Sequence, residues 1–245
     1  MFNGIHAALY REITVYRKRA GRQLLASSVS PLLFLIAFGW GFGRDVSVGG
    51  LSYMQFLIPG LIAMNALNQS YGIAQEINIA RFYLHVFDQF LTAPVTPAQI
   101  VLGEALYGVI KALIATLVIF IYALLFGVTL SPTPAFALAL LLHAFCFSFF
   151  GVFAAMAVRD HSQQNNINTF LITPMVFFCG TFFPVDKLPA GFSYLVAAFP
   201  LTYSTKLIRA TLTGGAVNWF HMGLLAAFTA IAYLLALEAV KRVED

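Results

Sequence analysis

Four long stretches of this 245-residue chain contain no aspartate, glutamate, lysine or arginine, and they run over residues 46–75, 112–158, 161–185 and 210–237. A helix that crosses the hydrocarbon core of a bilayer needs about 20 mostly apolar residues. Only 10% of the residues are charged, whereas roughly 25% are charged in a soluble domain. Such a chain cannot cover a water-facing surface with polar side chains. The pattern therefore excludes a soluble domain and predicts an all-α membrane protein.

The apolar segments predict six transmembrane helices within a single transmembrane domain over 1–245. The spans are expected near 24–42, 53–75, 105–126, 135–158, 165–183 and 219–238. The uncharged run 112–158 is too long for one helix, and the stretch "GVTLSPTP" at 127–134 predicts a turn between two helices.

The placement of basic residues predicts the orientation. Lysine and arginine accumulate at the cytoplasmic ends of spans, and with six spans both termini lie on the same side. That side holds ten of the 14 basic residues, namely Arg11, Arg17, Lys18, Arg19, Arg22, Arg81, Lys111, Arg159, Lys241 and Arg242. Both termini are therefore expected in the cytoplasm. The net charge of +4 then indicates contact with anionic lipid headgroups rather than with nucleic acid.

Residues 1–23 predict an amphipathic helix that lies in the cytoplasmic interface. Apolar residues recur at helical spacing and basic residues fall on the other side: Ile5, Leu9, Ile13, Tyr16 and Ala20 against Arg11, Lys18 and Arg22. The alternative is a basic anchor that only sets the topology. A signal peptide is not expected here, because the segment has no short apolar core and no small-residue cleavage site.

The link between spans 2 and 3, residues 76–97, predicts a short cytoplasmic helix that ends before Pro94 and Pro97. Its apolar stripe consists of Ile79, Phe82, Val86 and Phe90. A helix that is joined to a span at each end can dock on a soluble partner and transmit motion. The alternative is a connector that rests on the membrane.

The segment 184–215 follows span 5 on the opposite side of the membrane. Its uncharged part, 188–205, is too short to span and contains Pro189, Gly191 and Pro200. Irregular backbone at membrane depth is tolerated only where protein or a water-filled cavity surrounds it. The segment therefore predicts one or two re-entrant helices that cap the protein from outside.

Uncharged polar residues within spans 2 and 5 predict two polar faces. They are Asn65, Asn68 and Gln69 in span 2, and Asn165, Asn168 and Thr169 at the start of span 5. Polar side chains in a membrane turn away from lipid, and amides and hydroxyls suit a pathway for a large hydroxylated or amphipathic molecule. The alternative is hydrogen bonding that holds a helix bundle or a dimer together.

The charged and titratable residues of the spans do not form a recognisable catalytic or metal site. Glu104 and Lys111 are expected on one face of span 3, with Lys111 extending toward the cytoplasm, and His143 is expected to have a packing role. Cys146 and Cys179 are expected to be buried core residues. No phosphate-binding loop G-x-x-x-x-G-K-[ST] occurs, so ATP is not expected to bind this chain.

Four segments resemble the membrane subunit of type-2 ABC exporters. They are "SYMQFLIPGLIAMN" (52–65), "FLTAPVTPAQIVLGEAL" (90–106), "ITPMVFFCGTFFPVDKLP" (172–189) and "FPLTYSTKLIRATLTGG" (199–215). Within that family they resemble bacterial permeases that export lipo-oligosaccharide nodulation factors, and also drug-type permeases. The resemblance covers nearly the whole chain. It implies a non-enzymatic subunit in the bacterial inner membrane, which forms a dimer, expected to be a homodimer, and works with two copies of a cytoplasmic ATPase that bind ATP and Mg²⁺.

The resemblance also implies roles for individual residues. The coupling helix to the ATPase maps onto 80–91 and includes Arg81, Phe82, His85, Phe87, Asp88 and Phe90. Spans 2 and 5 border the translocation pathway, which agrees with the two polar faces. The re-entrant cap includes Pro184, Asp186, Lys187, Pro189, Pro200, Tyr203 and Arg209. Many relatives have an acidic "RE-G-T-x-E" run in the coupling link, whereas this chain has "IARFYLHVFDQFL".

Two other classes of function are alternatives. A polytopic membrane enzyme acting on lipid-linked sugars would have only Glu104, Lys111 and His143 as candidate acids and bases. A secondary transporter or channel is expected to have inverted repeats and buried charges, and neither feature is evident in the sequence. For an exporter, the candidate substrates are a lipid-linked saccharide, a lipid and a hydrophobic drug.

Overall fold

A computed structural model describes residues 3–43, 46–84 and 95–244 and shows a predominantly α-helical protein. The first part contains α1 (Asn3–Phe34), a π-helical continuation (Leu35–Phe42) and a small hairpin of β1 (Ser47–Val48) and β2 (Leu51–Ser52). It continues with α2 (Tyr53–Tyr71), α3 (Ile73–Phe82), α4 (Pro97–Leu125) and α5 (Pro134–Ala157).

The remaining elements are short helices followed by one long helix. They are α6 (His161–Ile167), a π-helical segment (Asn168–Ile172), α7 (Thr173–Phe178), a 3₁₀ turn (Val185–Lys187), α8 (Ala190–Ala197), α9 (Pro200–Leu212) and α10 (Trp219–Glu244).

Four helices in the described part of the chain are long and apolar enough to cross a membrane: Ala20–Gly39, Pro97–Leu125, Pro134–Ala157 and Trp219–Val243. They cover the predicted spans 1, 3, 4 and 6. Four of the six predicted spans therefore coincide with such helices, and membrane crossing at the second and fifth stays a prediction. The second predicted span falls on α2, which is 19 residues long but polar in its second half, and the fifth is divided among α6, the π segment and α7.

Contacts between distant residues show which loops share an end of the bundle. At one end, the Tyr83 ring lies 4.9 Å from that of His161, so the end of α3 meets the start of α6. At the opposite end, the Tyr53 hydroxyl donates to the carbonyl of Phe182, and the amide of Ser131 donates to the carbonyl of Leu212. The segment after α7 therefore packs against the start of α2 and against the turn between α4 and α5.

The predicted boundary between an interfacial helix and span 1, at residues 23–24, is not the end of a helix. α1 runs through it without interruption and stays parallel to α4: Arg11 contacts Glu104 and Tyr122 contacts the backbone of Ser28. The apolar stripe predicted for residues 1–23 is real, but its Leu9 and Tyr16 pack against the protein core. A helical stripe looks the same in sequence whether a membrane surface or another helix covers it.

Helix α2 is the most deeply buried element, and α4, α5 and α9 surround it. Its close packing depends on Gly60, where an added Cβ would lie 2.3 Å from the carbonyl oxygen of Thr181. Helix α2 begins with a capping box, in which the side chains and backbone amides of Ser52 and Gln55 satisfy each other. It ends at Gly72, and α3 then begins as a separate helix.

Candidate functional site

A polar cleft lies where α2 and α3 meet α6, the π segment and α7. Its volume is about 240 Å³, and its lining consists of Asn68, Tyr71, Gly72, Ala74, Gln75, Gln164, Asn168, Ile172 and Thr173. The walls thus carry four amide side chains and two hydroxyls, and no charged side chain. Such a surface can exchange hydrogen bonds with a neutral polar molecule in either direction.

Gln164 joins the helices around this cleft. Its side-chain amide group donates to the hydroxyl of Tyr71 at 2.7 Å and to Oδ1 of Asn168 at 3.3 Å. Its carbonyl oxygen accepts from Nδ2 of Asn78 at 3.0 Å. Gln164 is 1% exposed and Asn78 is fully buried, so these bonds replace hydration that the two side chains have lost. One glutamine therefore links α2, α3 and the π segment.

The π-helical segment Asn168–Ile172 shapes one wall of the cleft. In its wider turn the carbonyl of Asn168 accepts from the backbone amide of Thr173, five residues further on, and also from the Thr173 hydroxyl at 2.9 Å. Single-turn π segments inside helices frequently occur at functional sites. Here the segment also interrupts the helix that the sequence predicted as an unbroken span.

The structure brings together only part of the predicted pathway. Asn68 and Asn168 both line the cleft. Asn65 is buried, and its Nδ2 has no hydrogen-bond partner within the described residues. Asn165 and Thr169 are exposed. None of these three, nor the predicted Gln69, lines the cleft.

Three residues of this network, Gln164, Asn78 and Tyr71, were not predicted from the sequence. The signal for Gln164 was present, because it precedes Asn168 by four residues and so lies on the same helical face. Asn78 carried no local signal, since its partner is 86 residues away in the chain.

A second polar cluster lies at the end of the bundle where α1 begins. Nη2 of Arg11 lies 3.0 Å from Oε1 of Glu104, and Nζ of Lys111 lies 2.7 Å from Oε1 of Glu76. Lys111 is 5% exposed, so the expectation that it extends toward the cytoplasm is wrong. Its charge is instead compensated inside the protein, where an unpaired ammonium would be costly. Beside the cluster, burial and the nearby Glu76 carboxylate raise the pKa of Tyr16.

The candidate acids and bases of a membrane enzyme do not form one group. Glu104 and Lys111 belong to the ion pairs with Arg11 and Glu76, respectively. Nδ1 of His143 lies 2.9 Å from the hydroxyl of Ser204 in α9, which is the packing role expected for this histidine. Cys146 and Cys179 are buried and unpaired, as expected, and no metal-ligating cluster occurs among the described residues.

The predicted coupling helix is only partly within the described residues. Arg81 and Phe82 form the last turn of α3, and the Arg81 guanidinium donates to the carbonyl of Ala155 at the end of α5. The other four predicted residues, His85, Phe87, Asp88 and Phe90, lie outside the described residues. Helix α3, which leads into the link, is thus bound to α5 through Arg81, to α4 through Glu76 and to α6 through Asn78.

The predicted cap consists of the 3₁₀ turn, α8 and α9. The three predicted prolines each stand at the start of one element: Pro184 before the 3₁₀ turn, Pro189 before α8 and Pro200 as the first residue of α9. Tyr203 donates its hydroxyl to the carbonyl of Ala197 at 2.7 Å, which ties α9 to α8.

The charged residues of the cap differ in their environments. Asp186 and Lys187 are exposed, and Asp186 lies 3.8 Å from Lys206. Arg209 is half-buried, and its guanidinium lies 3.7 Å from the centre of the Phe56 ring. It donates to the carbonyl of Phe56 at 3.1 Å and to that of Gly180 at 2.6 Å. Arg209 therefore fastens α9 to the start of α2 and to the turn after α7.

Comparison with known proteins agrees with this architecture. A family model described as "ABC-2 type transporter" matches residues 3–213. "Nodulation protein J" of Rhizobium leguminosarum bv. viciae is 28% identical over 237 residues, which cover 95% of this chain and 92% of that protein. "Inner membrane transport permease YadH" of Escherichia coli strain K12 is 27% identical over 239 residues, which cover 95% of this chain and 92% of that protein.

Proposed function

The chain belongs to the ABC-2 type transporter family, and from this membership we propose that it moves an amphipathic substrate outward across the membrane. It is a membrane permease of an ABC transporter and a multi-pass inner-membrane protein. Permeases of this family act with an ABC ATPase. The proposal adds that transport is outward and that the substrate passes the polar cleft. It also adds a complex of two permease chains with two ATPase subunits, and a permease with six membrane passages and cytoplasmic termini.

The observation that supports the route is the polar cleft at Gln164. A hydrogen-bonding surface without charges lies between the second and fifth passages, where an apolar lining would have been more stable against lipid. Neutral amides can bind and release the hydroxyl groups of a substrate without a strong charge interaction. This favours a lipid-linked saccharide as the substrate class over a purely hydrophobic drug or an unmodified lipid.

The three side-chain contacts of α3 support the transmission of motion from the ATPase. The coupling link follows α3 directly, so a displacement of the link moves α3. Asn78 then acts on Gln164, and Gln164 acts on the cleft through Tyr71 and Asn168. The cap fastened by Arg209 closes the far end of the route until the passages separate.

The proposal is tested by measuring whether the cleft changes its exposure during the ATPase cycle. Variants N68C and N168C, purified with the partner ATPase, are labelled with a water-soluble maleimide without nucleotide and after trapping with ATP, Mg²⁺ and vanadate. We expect the labelling rate at both positions to change several-fold on trapping. The wild-type chain gives the background, since Cys146 and Cys179 are 2% and 0% exposed.

The variant T129C is the matched control, because Thr129 lies in the turn between α4 and α5, away from the cleft. Its labelling rate should be the same in both nucleotide states. Equal labelling of N68C and N168C in the two states would refute the proposed route. Failure of any ATPase to co-purify would refute the exporter itself.

A further inference from the structure

Helix α1 carries three exposed basic side chains that make no ion pair with the part of the chain that the structure describes. Arg17, Lys18 and Arg22 are exposed, and none of them makes an ion pair within the described residues. Arg11, on the same helix, pairs instead with Glu104. Among the described residues these three cations therefore have no counter-charge, and they can bind an anion from outside the chain.

These cations lie at the depth of lipid headgroups. The part of α1 that can cross a membrane begins at residue 20, so Lys18 and Arg22 stand on either side of its start. They line an open cleft of about 680 Å³ together with Gln23 and Ala26. Ala26 lies one turn beyond Arg22 and adds only a methyl group to the wall of the cleft.

An exposed apolar stripe continues from the cleft along the same face of α1. Leu25, Val29 and Leu33 follow Arg22 at intervals of three and four residues, which places them in one row. They are 69%, 52% and 59% exposed, respectively. One face of the helix thus offers positive charge at the membrane surface and an alkyl-binding strip below it.

We propose that this face is a binding site for one anionic phospholipid. Lys18 and Arg22 hold the phosphate, and an acyl chain lies along Leu25, Val29 and Leu33. The phosphate of such a lipid is opposite in charge to Lys18 and Arg22, and its acyl chain is apolar like the stripe. The lipid therefore complements both parts of this face.

Other occupants fit this face less well. A soluble ATPase does not fit the stripe, because the stripe lies inside the segment Ala20–Gly39, which is long and apolar enough to cross the membrane. A second copy of this chain that packs α1 against α1 across a two-fold axis would place Lys18 and Arg22 beside their own copies. Such like charges repel each other where the headgroup region meets the apolar core.

The test is a titration of the purified chain in detergent with phosphatidylglycerol, with bound lipid counted by native mass spectrometry. We compare the wild type with the double variant K18Q/R22Q, in which both substituted residues are exposed. The expected loss of affinity is about 30-fold, or about 2 kcal/mol, for two surface charges. The control K241Q/R242Q removes the same charge from the exposed end of α10 and should bind as the wild type does. Phosphatidylcholine should bind weakly to all three proteins.

A second variant tests the cleft without changing any charge. A26F places a ring in the cleft one turn beyond Arg22 and should also weaken binding of phosphatidylglycerol. Equal affinity of K18Q/R22Q and the wild type would overturn the proposal, and so would an equal loss in K241Q/R242Q. The proposal would also be overturned if V29C formed a disulfide with a second copy in native membranes, because the face would then be an interface between chains.

Discussion

Replacement of Arg209 tests whether the cap is held in place by one side chain. The variant R209M keeps a long side chain but removes both hydrogen bonds, to the carbonyl oxygens of Phe56 and Gly180, and the contact with the Phe56 ring. The matched control is K206M, on the same helix and less than one turn away. Lys206 pairs with Asp186 at 3.8 Å, and the two side chains are 38% and 86% exposed, respectively.

The contacts of Arg209 determine how much stability the variant R209M should lose. A hydrogen bond that involves a charged group contributes about 1.5–3 kcal/mol, and a cation over an aromatic ring contributes about 0.5–2 kcal/mol. Removal of the partly buried guanidinium also removes its desolvation cost, which offsets several kcal/mol of that sum. The carbonyl of Gly180, itself buried, is left without this donor. We therefore expect R209M to lower the free energy of unfolding by about 2–4 kcal/mol, and K206M by about 0–1 kcal/mol.

The assay is equilibrium unfolding of the purified chain in mixed micelles titrated with sodium dodecyl sulfate. R209K adds a second comparison, because it keeps the charge but loses the planar fork that reaches two carbonyls at once. It should be less stable than the wild type. The stabilising role of Arg209 is refuted if the free energies of unfolding of R209M and K206M differ by less than about 0.5 kcal/mol, a difference typical of neutral surface changes. It is also refuted if R209K is as stable as the wild type.

Two further pairs of variants can be measured in the same assay. Q164M removes two interhelical hydrogen bonds, to Tyr71 and Asn78, and at about 0.6 kcal/mol for each such bond in a membrane it should cost roughly 1 kcal/mol. N166L, at an exposed neighbouring position, should cost less than about 0.5 kcal/mol, and equal losses would show that the bonds of Gln164 do not stabilise the fold. G60A should lower stability by about 1–3 kcal/mol, because its Cβ would meet the carbonyl of Thr181. G21A, where no atom lies within 4 Å of the added Cβ, should raise stability by about 0.5–1 kcal/mol, and a loss at both glycines would refute the packing argument.

Helices whose character is set by local composition could be predicted from the sequence. The fourth span, expected at 135–158, is observed as Pro134–Ala157, and the turn before it follows from "GVTLSPTP". The prolines of the cap also stand where helices begin, because proline fits the first turn of a helix and disrupts its interior. Each of these features depends only on neighbouring residues.

Polar pairs between distant segments could not be predicted in this way. Arg11 and Glu104 are 93 residues apart, and Lys111 and Glu76 are 35 apart. Helical spacing predicts that Glu104 and Lys111 lie on one face of the same helix. It carries no information about their partners, Arg11 and Glu76, which lie on other helices. The break at Gly72 was also missed, because a single glycine within an apolar run is compatible with an unbroken span.

The burial of α2 has a consequence for the synthesis of the protein. Helix α2 leaves the ribosome before α4 and α5, which later cover it, and it carries Asn65 and Asn68 in its second half. Asparagines make insertion of an isolated helix into lipid less favourable. The nascent α2 therefore completes its environment only when the C-terminal helices arrive. Insertion of the early part of the chain depends on its late part, and a product truncated before α5 would leave these polar groups facing lipid.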